Sequence, residues 1–135
     1  MKKNILLLSG GCDSVYLLHH FKKTNFDFIY FIYGQKYYKQ EQLVIEKIEK
    51  EYGKVVEYID LGKLETKENG FVLGRNLYFL IEVAKKYPEA TIWIGTNKDD
   101  TFGDNNVRFY KKAVFVVNKS FGSKIKIKLP LKDTP

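Results

Sequence analysis

Cysteine is nearly missing from this sequence: Cys12 is the single one in 135 residues. One cysteine excludes an intramolecular disulfide and any zinc site built on several thiolates, so no zinc is expected. No apolar stretch approaches the ~20 residues that span a bilayer, so no membrane partner is expected. The opening Met1-Lys2-Lys3-Asn4 and the apolar residues after it imitate a secretory signal briefly. The apolar part breaks at Ser9-Gly10-Gly11-Cys12-Asp13, too early for an h-region. Internal repeats, low-complexity tracts and linkers are also lacking. What remains is one domain over residues 1–135, expected in the cytoplasm. Its 44% hydrophobic content makes it globular rather than disordered.

Acid is in deficit, with a net charge of +7. Such a balance fits either a nucleic-acid or nucleotide partner or a solvated lysine-rich surface. Lys22, Lys23, Lys36, Lys39, Lys47, Lys50, Lys85, Lys86, Lys111 and Lys112 are spread along the chain, many alternating with Glu on helix faces. The composition is therefore read as ordinary solvation in preference to nucleic acid, with nucleotide accounting for part of the excess.

Strand and helix patterns alternate from end to end. Strands are predicted near 4–8, 27–33, 55–60, 91–95 and 124–129. The first, second and fourth are nearly unbroken apolar runs, as central strands covered on both faces require. The last, Lys124-Ile125-Lys126-Ile127-Lys128-Leu129, alternates and belongs near a sheet edge. Between them, four helices are striped by Ser14, Leu17, Leu18 and Phe21; by Val44, Ile48 and Tyr52; by Leu77, Leu80, Ile81, Ala84 and Tyr87; and by Tyr110, Ala113, Val114, Val117 and Phe121. Gly53 and Gly122 are placed to close the second and fourth, and the third stops before Pro88. The expected fold is α/β: an open parallel sheet of about five strands with helices on both faces. In such sheets ligands lie beyond the carboxyl ends of the strands, where strand order reverses.

The residues behind the first strand, Ser9-Gly10-Gly11-Cys12-Asp13-Ser14, are built to hold phosphate. Gly10 and Gly11 accept unusual backbone angles and leave no side chain between backbone and ligand. Successive N–H groups can then form an anion nest, the helix start adds its own N–H groups, and Ser9 and Ser14 supply hydroxyls. Asp13 is compatible with phosphate as a cap or a Mg²⁺ ligand. This is no Walker A loop, since there is no G-x-x-x-x-G-K-[ST]. It resembles the S-G-G-x-D-S pyrophosphate loop of N-type ATP pyrophosphatases. Cys12 occupies its variable position and is read as a small filler.

Three more strand ends carry clustered polar residues: Tyr33-Gly34-Gln35, the segment Phe71 to Asn76 (with Gly74, Arg75 and Asn76), and the stretch Gly95 to Arg108 (with Asp100, Asn106 and Arg108). In order and spacing the four motifs resemble those of the 7-cyano-7-deazaguanine synthase family of the queuosine route. The resemblance implies an adenine nucleotide alpha hydrolase-like, Rossmann-like fold. It also implies an ATP- and Mg²⁺-dependent enzyme that activates the carboxylate of 7-carboxy-7-deazaguanine as an adenylate for attack by ammonia. Asp13, Arg75, Asp100 and Arg108 are the catalytic candidates. Ser9, Gly10, Gly11, Cys12, Asp13, Ser14, Tyr33, Gly34, Gln35, Gly74, Arg75, Asn76 and Gly95 are the nucleotide candidates. Asp100, Asn106 and Arg108 are the substrate candidates, with Asp13 and Asp100 for Mg²⁺.

The chain also departs from the family. Asn106 stands where the family has Asp, Asn105 replaces Pro, the four-cysteine zinc region is missing, and the sequence stops after Leu129-Pro130-Leu131-Lys132-Asp133-Thr134-Pro135. An amide donates as well as accepts and is neutral, which leaves the substrate open. A tRNA-modifying ATP pyrophosphatase and a nucleotide-binding module without catalysis are the alternatives. Ten Tyr and ten Phe exceed what one core uses, so a homo-oligomer is expected.

Overall fold

The apolar run Ile5-Leu6-Leu7-Leu8 becomes strand β1 (Asn4–Leu8), with all four side chains buried. In the computed structural model, which describes residues 2–8, 12–95, 103 and 106–131 and only the backbone at 12 and 13, β1 is the central strand. Helix α1 (Cys12–His20) follows it, then β2 (Phe26–Ile32), α2 (Tyr38–Tyr52), β3 (Glu57–Asp60), α3 (Arg75–Lys86), β4 (Thr91–Trp93), α4 (Val107–Phe121) and β5 (Lys126–Lys128). Among the described residues the five strands are all parallel, in the order β3-β2-β1-β4-β5.

Alternation along the strands splits the core into two layers. Ile5, Leu7, Ile29, Phe31, Ile59 and Ile92 point to one face, against Leu80 and Val83 of α3 and Tyr110, Ala113 and Val117 of α4. Leu6, Leu8, Phe26, Phe28, Tyr30 and Trp93 point to the other, against Leu17 and Leu18 of α1 and Ile45 and Ile48 of α2. Each fully buried large side chain contributes about 1.5–3 kcal/mol relative to exposure. This is the doubly wound, Rossmann-like α/β arrangement that the alternating pattern predicts.

Boundaries shift slightly from the sequence reading: the second strand runs one residue earlier, and the third, fourth and fifth are shorter. Gly53 and Gly122 do close α2 and α4, each in the left-handed region at φ 63°. Three stripes need correction. Ile45 joins Ile48 as the buried pair of α2, leaving Val44 and Tyr52 half-buried. In α3 the inward face is Asn76, Leu80, Val83 and Ala84, while Leu77 is exposed. Phe121, in the last turn of α4, is exposed rather than core. β5 is an edge strand, with Lys126 and Lys128 exposed on either side of Ile127. Among the described residues no helix is long and apolar enough to cross a membrane.

Candidate nucleotide site

Because every strand is parallel, all carboxyl ends share one rim, together with the helix N-termini that follow them. β1 pairs with β2 on one side and β4 on the other, so the order reverses at the end of β1. That is where an open α/β sheet forms its ligand crevice. β1 ends at Leu8 and α1 begins at Cys12. Ser9, Gly10 and Gly11 lie outside the described residues, as do the side chains of Cys12 and Asp13. Ser14, in the first turn of α1, is buried.

The end of β2 is joined to the start of α3 across the rim. The connection between β3 and α3 folds back on this rim: Leu61 N donates to Ile32 O (2.7 Å) and Leu64 N to Tyr33 O (3.0 Å). Further along, Thr66 and Val72 form an antiparallel bridge, and Leu73 N donates to Glu65 O at 2.9 Å. Arg75, the first residue of α3, thereby reaches Tyr33. Its Nη1 donates to Tyr33 Oη at 3.2 Å, and its guanidinium carbon lies 5.6 Å from the ring centroid. Phe79, one turn along α3, stacks on Phe31 at 4.2 Å and meets Tyr33 at 5.9 Å. Arg75 Nε is buried and has no hydrogen-bond partner among the described residues. A buried, unpaired guanidinium donor is costly unless an acceptor arrives, so this atom fits an anionic ligand at the rim.

Gly34 has a second duty besides allowing a turn. At φ +80° it lies where a Cβ would come within 2.9 Å of Lys63 Cγ and 3.2 Å of Lys63 Cα. The glycine lets the 61–64 segment pass directly against the end of β2.

Gln35 is committed inward. Its Oε1 accepts from Tyr33 N (2.8 Å), and its Nε2 donates to Tyr30 Oη (2.9 Å) and Phe31 O (3.0 Å). Tyr30 Oη in turn donates to Glu41 Oε1 at 2.7 Å. Burial and the Glu41 carboxylate push the Tyr30 hydroxyl far above the ordinary tyrosine range. This network fixes the backbone behind Tyr33 and Gly34. Glu41 was not among the residues singled out from the sequence. Its only signal there was an acidic side chain six residues after Gln35, at the start of a helix.

At the other helix starts, Gly74 holds φ 71° before α3, and Asn76 is buried one residue past Arg75. Asn106 is the N-cap of α4: its Oδ1 accepts from Phe109 N at 2.9 Å and its Nδ2 donates to Gly103 O at 3.2 Å. Arg108 is exposed in the first turn of α4. Gly95 follows β4 on the same rim, while Asp100 lies outside the described residues. No group of three His, Cys, Asp or Glu is arranged as a metal site among the described residues, and both Mg²⁺ candidates, Asp13 and Asp100, carry side chains beyond them.

No protein-family model matches this chain. No curated protein matches it either. Among solved structures it is similar to the crystal structure of a predicted subunit of tRNA methyltransferase from Methanocaldococcus jannaschii DSM. The TM-score is 0.56 at 16% identity, covering 98% of this chain and 70% of the other. That likeness is one of fold.

Proposed function

We propose that this chain is a nucleotide-binding domain that uses ATP to adenylate a substrate and releases pyrophosphate. The observation that carries the reading is the Ser9–Ser14 sequence, which follows the central strand and runs into the first turn of α1, at the reversal of strand order. Backbone N–H groups of the loop, with Ser9 and Ser14, would hold the β and γ phosphates. Arg75, whose Nε has no hydrogen-bond partner among the described residues, would complete the anion cradle from α3. Tyr33, Gly34 and Gly95 would border the adenosine. Asp13 and Asp100 supply the hard oxygen donors that Mg²⁺ takes, and the ion would neutralise charge on the phosphates.

The substrate that best fits the four strand-end motifs is a 7-deazaguanine-type carboxylate. A carboxylate oxygen would attack the α phosphorus, the bond to pyrophosphate would break, and ammonia would then displace AMP to leave an amide. Positioning and charge stabilisation would carry the rate, without a covalent nucleophile on the protein. Asn106 borders the substrate side in this reading, whereas Arg108 is exposed on the side of α4 opposite the buried Tyr110, Ala113 and Val117 and is not assigned to it. Asn106 already spends its amide on capping α4, so its part would be to set the start of that helix.

A second reading is a tRNA-modifying ATP pyrophosphatase or a partner subunit of such an enzyme. The fold shared with a protein described as a predicted subunit of tRNA methyltransferase favours it. Calorimetric titration with ATP and Mg²⁺ tests the part common to both readings. Ser14→Ala is expected to weaken binding by about 1 kcal/mol or more, with a thermal melt of the same variant to separate folding from binding. Wild-type ATP affinity in both Ser14→Ala and Asp13→Ala would remove the loop from the account.

A further inference from the structure

The net charge of +7 is concentrated in one stretch. Residues 106–131 hold seven Lys and Arg and no Asp or Glu, and the rest of the chain carries as many acids as bases. Composition along the sequence hides this, because lysines occur everywhere; only the acids are missing from one region. In the fold that region is α4 and the edge strand β5. The two are tied together where Asn118 Nδ2 donates to Ile125 O (3.1 Å) and Asn118 Oδ1 accepts from Ile125 N (3.0 Å).

The exposed side of α4 carries a line of charge. Arg108, Lys112, Phe115 and Lys119 follow one another at helical spacings of four, three and four, opposite the buried Tyr110, Ala113 and Val117. From Arg108 to Lys119, eleven helical rises, the line extends about 16 Å. Phe115 is 65% exposed in its middle, and Lys119 Nζ lies 5.7 Å from its ring centroid. None of these cations has an ion pair among the described residues.

The dipole of α4 accounts for Lys119, in the last turn, but not for Arg108 or Lys112. Arg108 sits in the first turn, where the positive end of the helix dipole disfavours a cation. Arg108 and Lys112 are like charges four apart, which also destabilises. Lysines on an edge strand guard against pairing with other strands, which accounts for Lys126 and Lys128 but not for α4. A row of unpaired cations interrupted by an exposed aromatic ring instead matches a single-stranded nucleic acid, with phosphates on the cations and a base on the ring. An aromatic ring can be used this way only by an unpaired base, and loops of folded RNA are the ordinary source of unpaired bases. We infer that the outer face of α4 is an RNA-binding surface that engages an unpaired segment through Lys112, Phe115 and Lys119.

The inference stands on charge placement and is tested without nucleotide, so its failure and failure of ATP binding are separate results. Fluorescence anisotropy with a labelled ~20-nucleotide oligouridylate, in about 50 to 200 mM salt, reads affinity and salt slope. Lys112→Ala/Lys119→Ala should weaken binding at least tenfold and lower the slope of log K against log salt by ~1.4, about 0.7 per phosphate contact on a single strand. Phe115→Ala should weaken binding about fivefold or more and leave the slope unchanged. Lys47→Ala/Lys50→Ala, on exposed positions of α2, should leave binding intact. Circular-dichroism melts establish that each variant is folded. Four results would overturn the inference: no measurable wild-type binding, equal loss in the α2 control, binding of anionic lipid vesicles but not RNA, or self-association through Phe115 with no RNA affinity.

Discussion

Arg75 and Tyr33, 42 positions apart in the chain, meet at the carboxyl rim of the sheet, with Nη1 3.2 Å from Oη and the guanidinium over the ring. The tyrosine holds the arginine while Nε has no partner among the described residues. Removing Tyr33's hydroxyl should therefore loosen Arg75 without removing its charge. Tyr33→Phe is expected to lower ATP affinity about two- to fivefold, because the hydroxyl acts on the ligand only through the placement of Arg75. Arg75→Ala should lower it tenfold or more, because a charged donor to phosphate is lost. Calorimetry on both variants checks the ranking, and equal, wild-type affinities would place Arg75 outside the nucleotide site.

Gln35 gives a different expectation. Its amide satisfies Tyr33 N, Tyr30 Oη and Phe31 O, so Gln35→Ala leaves buried polar groups without partners. Chemical denaturation should show a loss of about 1–3 kcal/mol. Once folded, the variant should bind ATP within about threefold of wild type, since its effect on the rim is only through backbone position. A large affinity loss with unchanged stability would mean that the side chain turns outward to the ligand.

Two glycines with positive φ should respond unequally to alanine. Gly53, at φ 63°, has open space where a Cβ would go, so Gly53→Ala should cost only the left-handed backbone term, about 1–2 kcal/mol. Gly34→Ala adds a collision with Lys63, including its backbone Cα at 3.2 Å, and should cost more. Paired denaturation curves measure the difference; equal costs would argue against a tight passage of residues 61–64 past Gly34.

Glu57 and Tyr87 contribute to opposite limbs of the pH–stability curve. Burial opposes ionisation of Glu57, but hydrogen bonds from Lys86 and Tyr87 outweigh it and hold its carboxyl below the usual 4.5. A lowered carboxyl pKa gives stability that is present above the unfolded value and lost as pH falls through the folded one. Tyr87 is pushed up to about 12, chiefly by its hydrogen bond to Glu57, so its contribution is present below pH 10 and fades as pH rises towards 12. Glu57→Gln should therefore be destabilised relative to wild type at neutral pH, with the gap closing below pH 4.5. A gap independent of pH across the acid range would show that the carboxylate's charge is not what matters.

Much of the fold was legible because burial on both faces leaves an unmistakable run. Ile5 to Leu8 reads as a central strand with no ambiguity, Lys124 to Leu129 reads as an edge, and Gly53 and Gly122 mark helix ends. The face of α3 was less legible. Periodicity assigns Leu77 inward, whereas the structure buries its polar neighbour Asn76 at the rim, and hydrophobic pattern carries no signal for an inward polar residue. At the site, the Ser9–Ser14 loop and Arg75 stood out by residue type. The inward turn of Gln35 and the role of Glu41 did not, because both depend on how α2 starts relative to β2. The basic face of α4 was hidden for a further reason: counting lysines along the chain does not register the absence of acids from one helix.

The central claim is that ATP is cleaved between its α and β phosphates at the Ser9–Ser14 loop. Phosphorus NMR of ATP and Mg²⁺ incubated with the protein, 7-carboxy-7-deazaguanine and ammonium tests it most directly. The account predicts growing AMP and pyrophosphate resonances, abolished by Asp13→Ala. ADP and phosphate as the products, or AMP formation undiminished in Asp13→Ala, would contradict it.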